Sequence, residues 1–347
     1  MRLDRRQFTA AAGALALAPW ANVHAQPALD ALHAAARKEG ELTWYIVYLP
    51  SEDAEQLARL FSTRYPGVKV NVVRTTAQVA FQRLNQDLQA RTANCDVFSS
   101  TDLAHYLDLK KRQLLLRFTP SAAAQLDKRL QNIDPDGYFH AASVSMIGLI
   151  YNTTKVKPAD APTSWNDLVD PKWRGLASVG HPGFSGFVGA WAIEMKTLYG
   201  PQWFKKLAEN KPQVGRSIID TVTTLTSGER AIAAGPVNLA AMGAAKGNPL
   251  AVVAPKEGPV LMVSPSAIMA NAPHPNAAKL FMEFLIGGEE VDKMSYERFG
   301  IPRRAGARPR PGVLGLDDAP TLLRASAQEV VDGLPDVIDL WRDAFGV

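Results

Sequence analysis

Apolar and polar positions follow two rhythms along this chain, a helical spacing and an alternating or continuous β-rich spacing, and the two trade places repeatedly. Leu29, Leu32 and Ala36 fall on one helical face, and Gly40 after them supplies a left-handed stop. Leu42 to Tyr48 is an apolar, β-rich run. Ser51-Glu52-Asp53 then predicts a helix with Ser51 as its cap and acids in its first turn, burying Ala54, Leu57, Ala58 and Phe61. Pro66-Gly67 turns the chain into a strand through Val68, Val70 and Val72, and a long helix carrying Val79, Leu84 and Leu88 leads to a short strand at Asp96-Val97-Phe98. A helix with Leu103 and Leu107 follows. Such a β-α-β-α-β run predicts an α/β sheet whose strand exits and helix starts open on one edge.

Beyond Asp134-Pro135-Asp136-Gly137, Ala141 to Tyr151 reads as a long apolar strand suited to crossing between lobes. A second α/β region begins where Ser164-Trp165 caps a short helix and Pro171-Lys172-Trp173-Arg174-Gly175 leads to a strand at Leu176 to Val179. His181 to Gly186 is a glycine-containing strand-to-helix loop, with helices predicted over 187–199 and 201–210. Leu261 to Met269 is a second candidate crossover. Pro275 to Phe299 is helical in pattern, Arg303 to Pro311 is a basic, proline-containing loop, and an amphipathic helix starts near Thr321.

Composition changes this picture in three places. With 347 residues, 47% of them hydrophobic, the chain can bury one or two cores without a metal, and its single cysteine, Cys95, excludes an intrachain disulfide. The formal charge of +4 is half supplied by Arg2, Arg5 and Arg6 against Asp4, all in a segment with the features of an export leader. There an apolar stretch from Thr9 to Ala18 is followed by Pro19 and by Val23-His24-Ala25 before Gln26, so residues 1–25 are expected to be a signal peptide cut after Ala25 by signal peptidase. Asp4-Arg5-Arg6-Gln7-Phe8 resembles the twin-arginine motif, while Thr9 and Ala10 depart from it; the Tat or the Sec machinery is the expected export partner. Cys95 lies far from the cut, so a lipid anchor is not expected, and the expected location is the periplasm. The charge left after cleavage is too small to argue for a nucleic-acid partner.

Several segments together resemble a known family. They are Tyr-Pro-Gly-Val-Lys-Val (65–70), Cys-Asp-Val-Phe-Ser-Ser (95–100), Ile-Tyr-Asn-Thr (150–153), the run from Ser164 to Gly175, Ser-Gly-Glu (227–229), and Ala-Pro-His-Pro-Asn-Ala-Ala-Lys-Leu-Phe (272–281). The chain is similar to the extracellular solute-binding proteins of family 1, in the branch with ferric-iron, thiamine, sugar-phosphate and aminoethylphosphonate binders. The resemblance implies a type II periplasmic-binding-protein fold: two α/β lobes, two crossover strands, and a cleft that closes on its solute by hinge motion. It also implies an ABC permease in the inner membrane as partner. The expected division is 26–141 and 261–302 for lobe 1, 142–260 for lobe 2, and 303–347 as a C-terminal loop and helix packing on lobe 2.

The iron-binding relatives use adjacent tyrosines just after the Gly-Glu element, because phenolates are hard ligands for a hard cation. Here Gly228-Glu229 leads to Gly235-Pro236-Val237-Asn238 with no tyrosine between Tyr199 and Tyr296, which disfavours ferric iron. No metal or cofactor is expected. What remains are hydroxyls and glycines at expected helix starts: Ser51, Ser100, Thr101, Ser185 and Gly186. Tyr48 at the first strand's exit, Ser145 on the crossover strand and Asn238 near a helix start complete the candidate set. Several helix N-termini converging on one cleft would seat a carboxylate, phosphate or phosphonate, so a small organic anion is the expected ligand. Arg216 before Ser217 would add a fixed positive charge or stand as a solvated loop residue. As an enzyme, the chain would rest on Ser185 in Gly183-Phe184-Ser185-Gly186-Phe187, but Phe187 replaces the second glycine of a nucleophile elbow, and the histidines lack metal-ligand spacing. A periplasmic sensor domain is the alternative partner.

Overall fold

The computed structural model describes residues 20–319 and 321–346. The twin-arginine motif and apolar run of the expected leader lie outside the described residues, and the expected cut after Ala25 falls within helix α1 (Trp20–Glu39). The chain continues through β1 (Glu41–Ile46), α2 (Ser51–Arg64), β2 (Lys69–Arg74), α3 (Ala77–Gln89), β3 (Val97–Ser99), α4 (Leu103–Lys111) and β4 (Leu115–Leu116). The long β5 (Phe139–Asn152) leads to β6 (Ala177–Gly180), α5 (Gly186–Tyr199), α6 (Gln202–Glu209), β7 (Gln213–Gly215), α7 (Asp220–Thr226), β8 (Ile232–Pro236), α8 (Val237–Ala245) and β9 (Leu250–Val253). Last come β10 (Val260–Met269), α9 (Pro275–Gly287), α10 (Glu289–Phe299) and α11 (Ala327–Phe345).

One continuous mixed sheet carries the ten described strands in the order β2-β1-β3-β10-β5-β8-β6-β7, with β4 beside β10 and β9 beside β5. β1 pairs in parallel with β2 and β3, and β6 with β7 and β8. Between these blocks lie β5 and β10, antiparallel to each other. Helices cover both sheet faces, so the strands are apolar on both sides. Trp44 and Ile46 join Phe61, Phe281 and Phe284, whereas Tyr45 and Val47 join Phe98, Tyr106 and Phe139 on the opposite face. A separate core around Trp165, Trp191, Phe204 and Trp341 organises the second block. The fold is therefore the two-lobed α/β arrangement with two crossover strands. The expected division points 141/142 and 260/261 fall inside β5 and at the start of β10.

Local differences from expectation have identifiable causes. Ser51 is the first helical residue rather than a cap: Pro50 holds the cap position and no side chain caps α2. The helical pattern of 275–299 is broken at Gly288, whose ψ of 128° turns the chain between α9 and α10. The terminal helix begins at Ala327 instead of near Thr321, because Ser326 and Glu329 form a capping box. Just ahead of it, Leu323 exchanges backbone hydrogen bonds with Leu261 (2.8 Å) and Pro259 (3.0 Å). The C-terminal loop and helix also part company. Ile301, Val313 and Leu316 pack in the first core, while Val330, Val337 and Trp341 of α11 pack in the second.

The β5–β10 pair contains one irregularity. Ser264 faces Ser143, but Pro265 faces Ala141, leaving Ala142 as a bulge. Proline has no N–H to give the ladder, so the interruption is set by sequence. The freed carbonyls are both satisfied: Tyr106 Oη donates to Pro265 O (2.5 Å) and Arg303 Nη1 to Ala142 O (2.8 Å). Arg303, fully buried, also donates to Leu285 O (2.8 Å) and pairs with Asp292 (2.6 Å). Arg303→Ala would leave two buried carbonyls without their donor and take from Asp292 one of its two arginine partners, the other being Arg304, and is expected to lower the unfolding free energy by about 3–5 kcal/mol, read from urea melts.

Candidate ligand-binding site

A cavity of about 370 Å³ opens over the β5–β10 pair between the two cores. Its floor is Ser143, Val144 and Ser145 of β5, which directly follow the bulge, with Ser264 of β10, which directly precedes Pro265. Tyr48 after β1, Arg74 at the end of β2, Thr76 ahead of α3 and Thr101 ahead of α4 form one wall. The facing wall comes from Phe184 and Ser185 at the start of α5, from Arg216 to Asp220 between β7 and α7, and from Pro236, Asn238 and Leu239 at the β8–α8 junction. Both walls are thus strand exits and helix starts of parallel α/β units, the edge on which such sheets bind ligands.

Five of the eight sequence candidates meet here: Tyr48, Thr101, Ser145, Ser185 and Asn238 line the cleft. The Ser145 hydroxyl donates to Asn238 Oδ1 at 2.7 Å, joining the floor to α8. Ser185 stands at the N-cap position of α5 with no side-chain capping bond, as does Thr76 for α3, so both hydroxyls remain available to a ligand. The first N–H groups of these helices have no intrahelical acceptor. Burial raises the Tyr48 phenol above its usual pKa, against the hydroxyls of Ser266 and Ser99 and the Arg303 guanidinium, so it stays protonated.

Ser51, Ser100 and Gly186 are not brought to the cavity. Ser51 is exposed on α2. Ser100 is fully buried, its hydroxyl on His105 Nδ1 (3.0 Å) and its amide on the Tyr106 hydroxyl (2.6 Å), so it orders the turn beneath Thr101. Gly186 serves close packing: a Cβ there would lie 2.7 Å from Thr101 O and 2.9 Å from Asp102 Cα, so the two walls touch backbone to backbone.

Sequence reasoning missed Arg74, Thr76, Ser143 and Ser264. Arg74 and Thr76 were findable as the exit of a predicted strand, and Ser143 as the residue two before Ser145 on the same strand face. Ser264 is placed only by its register with Ser143. Arg74 and Arg216 are both exposed at the cavity. Arg74 donates through Nε to Leu49 O (2.9 Å), and the Arg216 guanidinium lies 5.0 Å from the Phe184 ring centre. Neither is joined to a carboxylate among the described residues. Asp220 is the one acid among the lining residues, and its carboxylate accepts the Ser217 amide at 2.9 Å. Among the described residues no group of three or more histidine, cysteine, aspartate or glutamate side chains could hold a metal ion. Tyr48 is the one phenol on the lining.

This chain belongs to the family of bacterial extracellular solute-binding proteins, whose model matches residues 94–310. It is a solute-binding protein and not an enzyme, so the nucleophile role considered for Ser185 falls away. An uncharacterized protein of Haemophilus influenzae is 26% identical over 159 residues, 44% of this chain and 46% of that one, so the match spans about half the relative's length. The fold is shared with the periplasmic binding protein AfuA of Actinobacillus pleuropneumoniae, solved with fructose-6-phosphate (22% identity, TM-score 0.78, 89% of this chain and 99% of that one). Iron-bound HitA of Pseudomonas aeruginosa is similar (20%, 0.74, 88% and 99%), as is a periplasmic thiamin binding protein (18%, 0.76, 88% and 96%). No described helix is long and apolar enough to cross a membrane.

Two outcomes follow from this geometry. Gly186→Ala should push α5 away from Thr101-Asp102, giving a larger radius of gyration by small-angle scattering with an unchanged far-UV circular dichroism spectrum. His105 is buried and stacked on Phe81 (4.0 Å), and burial lowers its pKa against the pull of Asp102 and Asp108; His140 is lowered by burial too. A histidine held neutral in the fold stabilises it fully above the unfolded pKa of about 6.5 and loses that stabilisation as pH falls. Unfolding free energy should therefore drop from pH 7 to 5.5, and drop less in His105→Gln.

Proposed function

We propose that this protein captures a small organic anion in the cleft and presents it to an ABC permease of the inner membrane, acting in the periplasm after export by the Tat or Sec machinery and cleavage of residues 1–25. The observation that carries this reading is the pair of arginines without carboxylate partners, Arg74 on one wall and Arg216 on the other, around a cleft of hydroxyls and helix N-termini. Two guanidiniums, free α3 and α5 amides and a single, already engaged carboxylate favour negative charge and oppose a cation. Ferric iron lacks its tyrosine pair, and thiamine, a cation, would face both arginines. The proposed lobes are 26–141 with 261–302, and 142–260, with β5 and β10 as the hinge and the 303–347 segment tying onto both. Closing the hinge would bring Arg74 and Arg216 onto the same solute, which is then released when the permease reopens the cleft.

A thermal-shift screen of phosphonates, sugar phosphates, carboxylates, thiamine and ferric salts should give a rise in melting temperature with an anion, since ligand at 100 Kd adds about 2.7 kcal/mol to the folded state. By calorimetry, Arg74→Ala and Arg216→Ala should each weaken that anion by about 1.5–3 kcal/mol, roughly ten- to a hundredfold. A coloured ferric complex, or thiamine binding indifferent to both substitutions, would sink the anion reading.

A further inference from the structure

We infer that the solute carries a flat apolar portion next to its anionic group, and that Phe184, Phe187, Ile218, Ile219, Pro236 and Leu239 form the wall that receives it. This rests on the organic-anion reading and narrows it. The large apolar side chains of the cleft are gathered on one wall. Thr76, Thr101, Ser143, Ser145 and Ser264 put hydroxyls on one wall and the floor, while the opposing wall sets six large apolar side chains among Ser185, Arg216, Ser217, Asp220 and Asn238. Phe184 and Ile219 stay 45% and 37% exposed beside a core that buries Trp191 and Phe204 completely. Large apolar side chains left in water inside a cleft gain when a ligand covers them.

The position of Arg216 links the charge to this wall. Its guanidinium lies 5.0 Å from the Phe184 ring centre, so an anionic group held by Arg216 brings the atoms attached to it within reach of the ring. A body covered in hydroxyl groups fits poorly there. Of the groups on that side able to pair with them, the Asp220 carboxylate is engaged by the Ser217 amide (2.9 Å), Asn238 Oδ1 by the Ser145 hydroxyl (2.7 Å) and Ser217 Oγ by the Ile219 amide (3.2 Å), which leaves chiefly the Ser185 hydroxyl at the edge of the wall. Ligand hydroxyls set against Phe184 and Ile219 would leave water without replacement partners, whereas a ring surrenders no hydrogen bonds.

The test is calorimetry at one ionic strength with phenyl phosphate and benzoate against glycerol 3-phosphate and glycerate, so that each headgroup appears once with a ring and once with hydroxyls. At least one aromatic probe should bind about tenfold tighter than its hydroxylated counterpart. Phe184→Ala should remove most of that margin without shifting the melting temperature of the free protein. Equal or tighter binding of the hydroxylated probes overturns the apolar wall and leaves the anion reading standing. So does a margin that survives Phe184→Ala while Arg216→Ala still abolishes binding. Failure of all four probes to bind overturns both.

Discussion

The site depends on the antiparallel pairing of β5 with β10, two strands that lie between the parallel blocks of one sheet and supply the cleft floor. Pairing alone does not set the floor's shape. Pro265 denies the ladder a donor, Ala142 bulges out, and the strand beyond it is re-aimed so that Ser143 and Ser145 line the cavity opposite Ser264. The break is stable because the orphaned carbonyls are taken up by Arg303 and Tyr106, groups drawn from sequence far from the strands. Arg303 in turn is charge-compensated by Asp292 at the start of α10. A segment that reads as a basic surface loop thus contributes the buried cation that makes the bulge tolerable.

What was legible in the sequence was local. Gly40 stops α1 with a φ of 79°, as its position after an apolar stripe predicted, because that signal needs only glycine's freedom in the left-handed region. The long apolar strand expected at 141–151 is present as Phe139–Asn152. The centre of the sheet was not legible: β10 pairs with β3 and β5 across more than a hundred residues of intervening chain, and no periodicity in β10 encodes those partners. The same limit moved the start of α11, where Leu323 pairs with the chain around β10 before the helix can begin.

The site was half legible for the same reason. Thr101, Ser185 and Asn238 were found because strand exits and helix starts are marked by residue type, and such edges converge in α/β sheets. Ser100 carries the same marks, yet it satisfies His105 and the turn beneath Thr101, since a hydroxyl's direction is decided by packing. Gly186 was chosen as an anion seat and turns out to be a point of closest approach between walls, a steric role that its residue type permits equally well. Arg74 stands out only when the fold shows that no carboxylate joins it, and the fold likewise separates the two readings of Arg216, for an unpaired arginine and a paired one look alike in sequence.

That lack of pairing bears on motion as well as on recognition. Like charges facing one another across a solvent-filled cleft repel, and the repulsion grows as the walls approach and water leaves, because the effective dielectric falls with it. On the proposed reading, the empty protein is therefore biased against full closure. An anion between the two guanidiniums reverses the sign of the interaction in the closed state far more than in the open one, and this difference between states is what allows a ligand to shift the hinge. A neutral solute of the same size would gain the apolar wall but leave the repulsion in place. Charge at the two arginines would thus gate closure, while shape at the wall around Phe184 would choose among the anions that can trigger it.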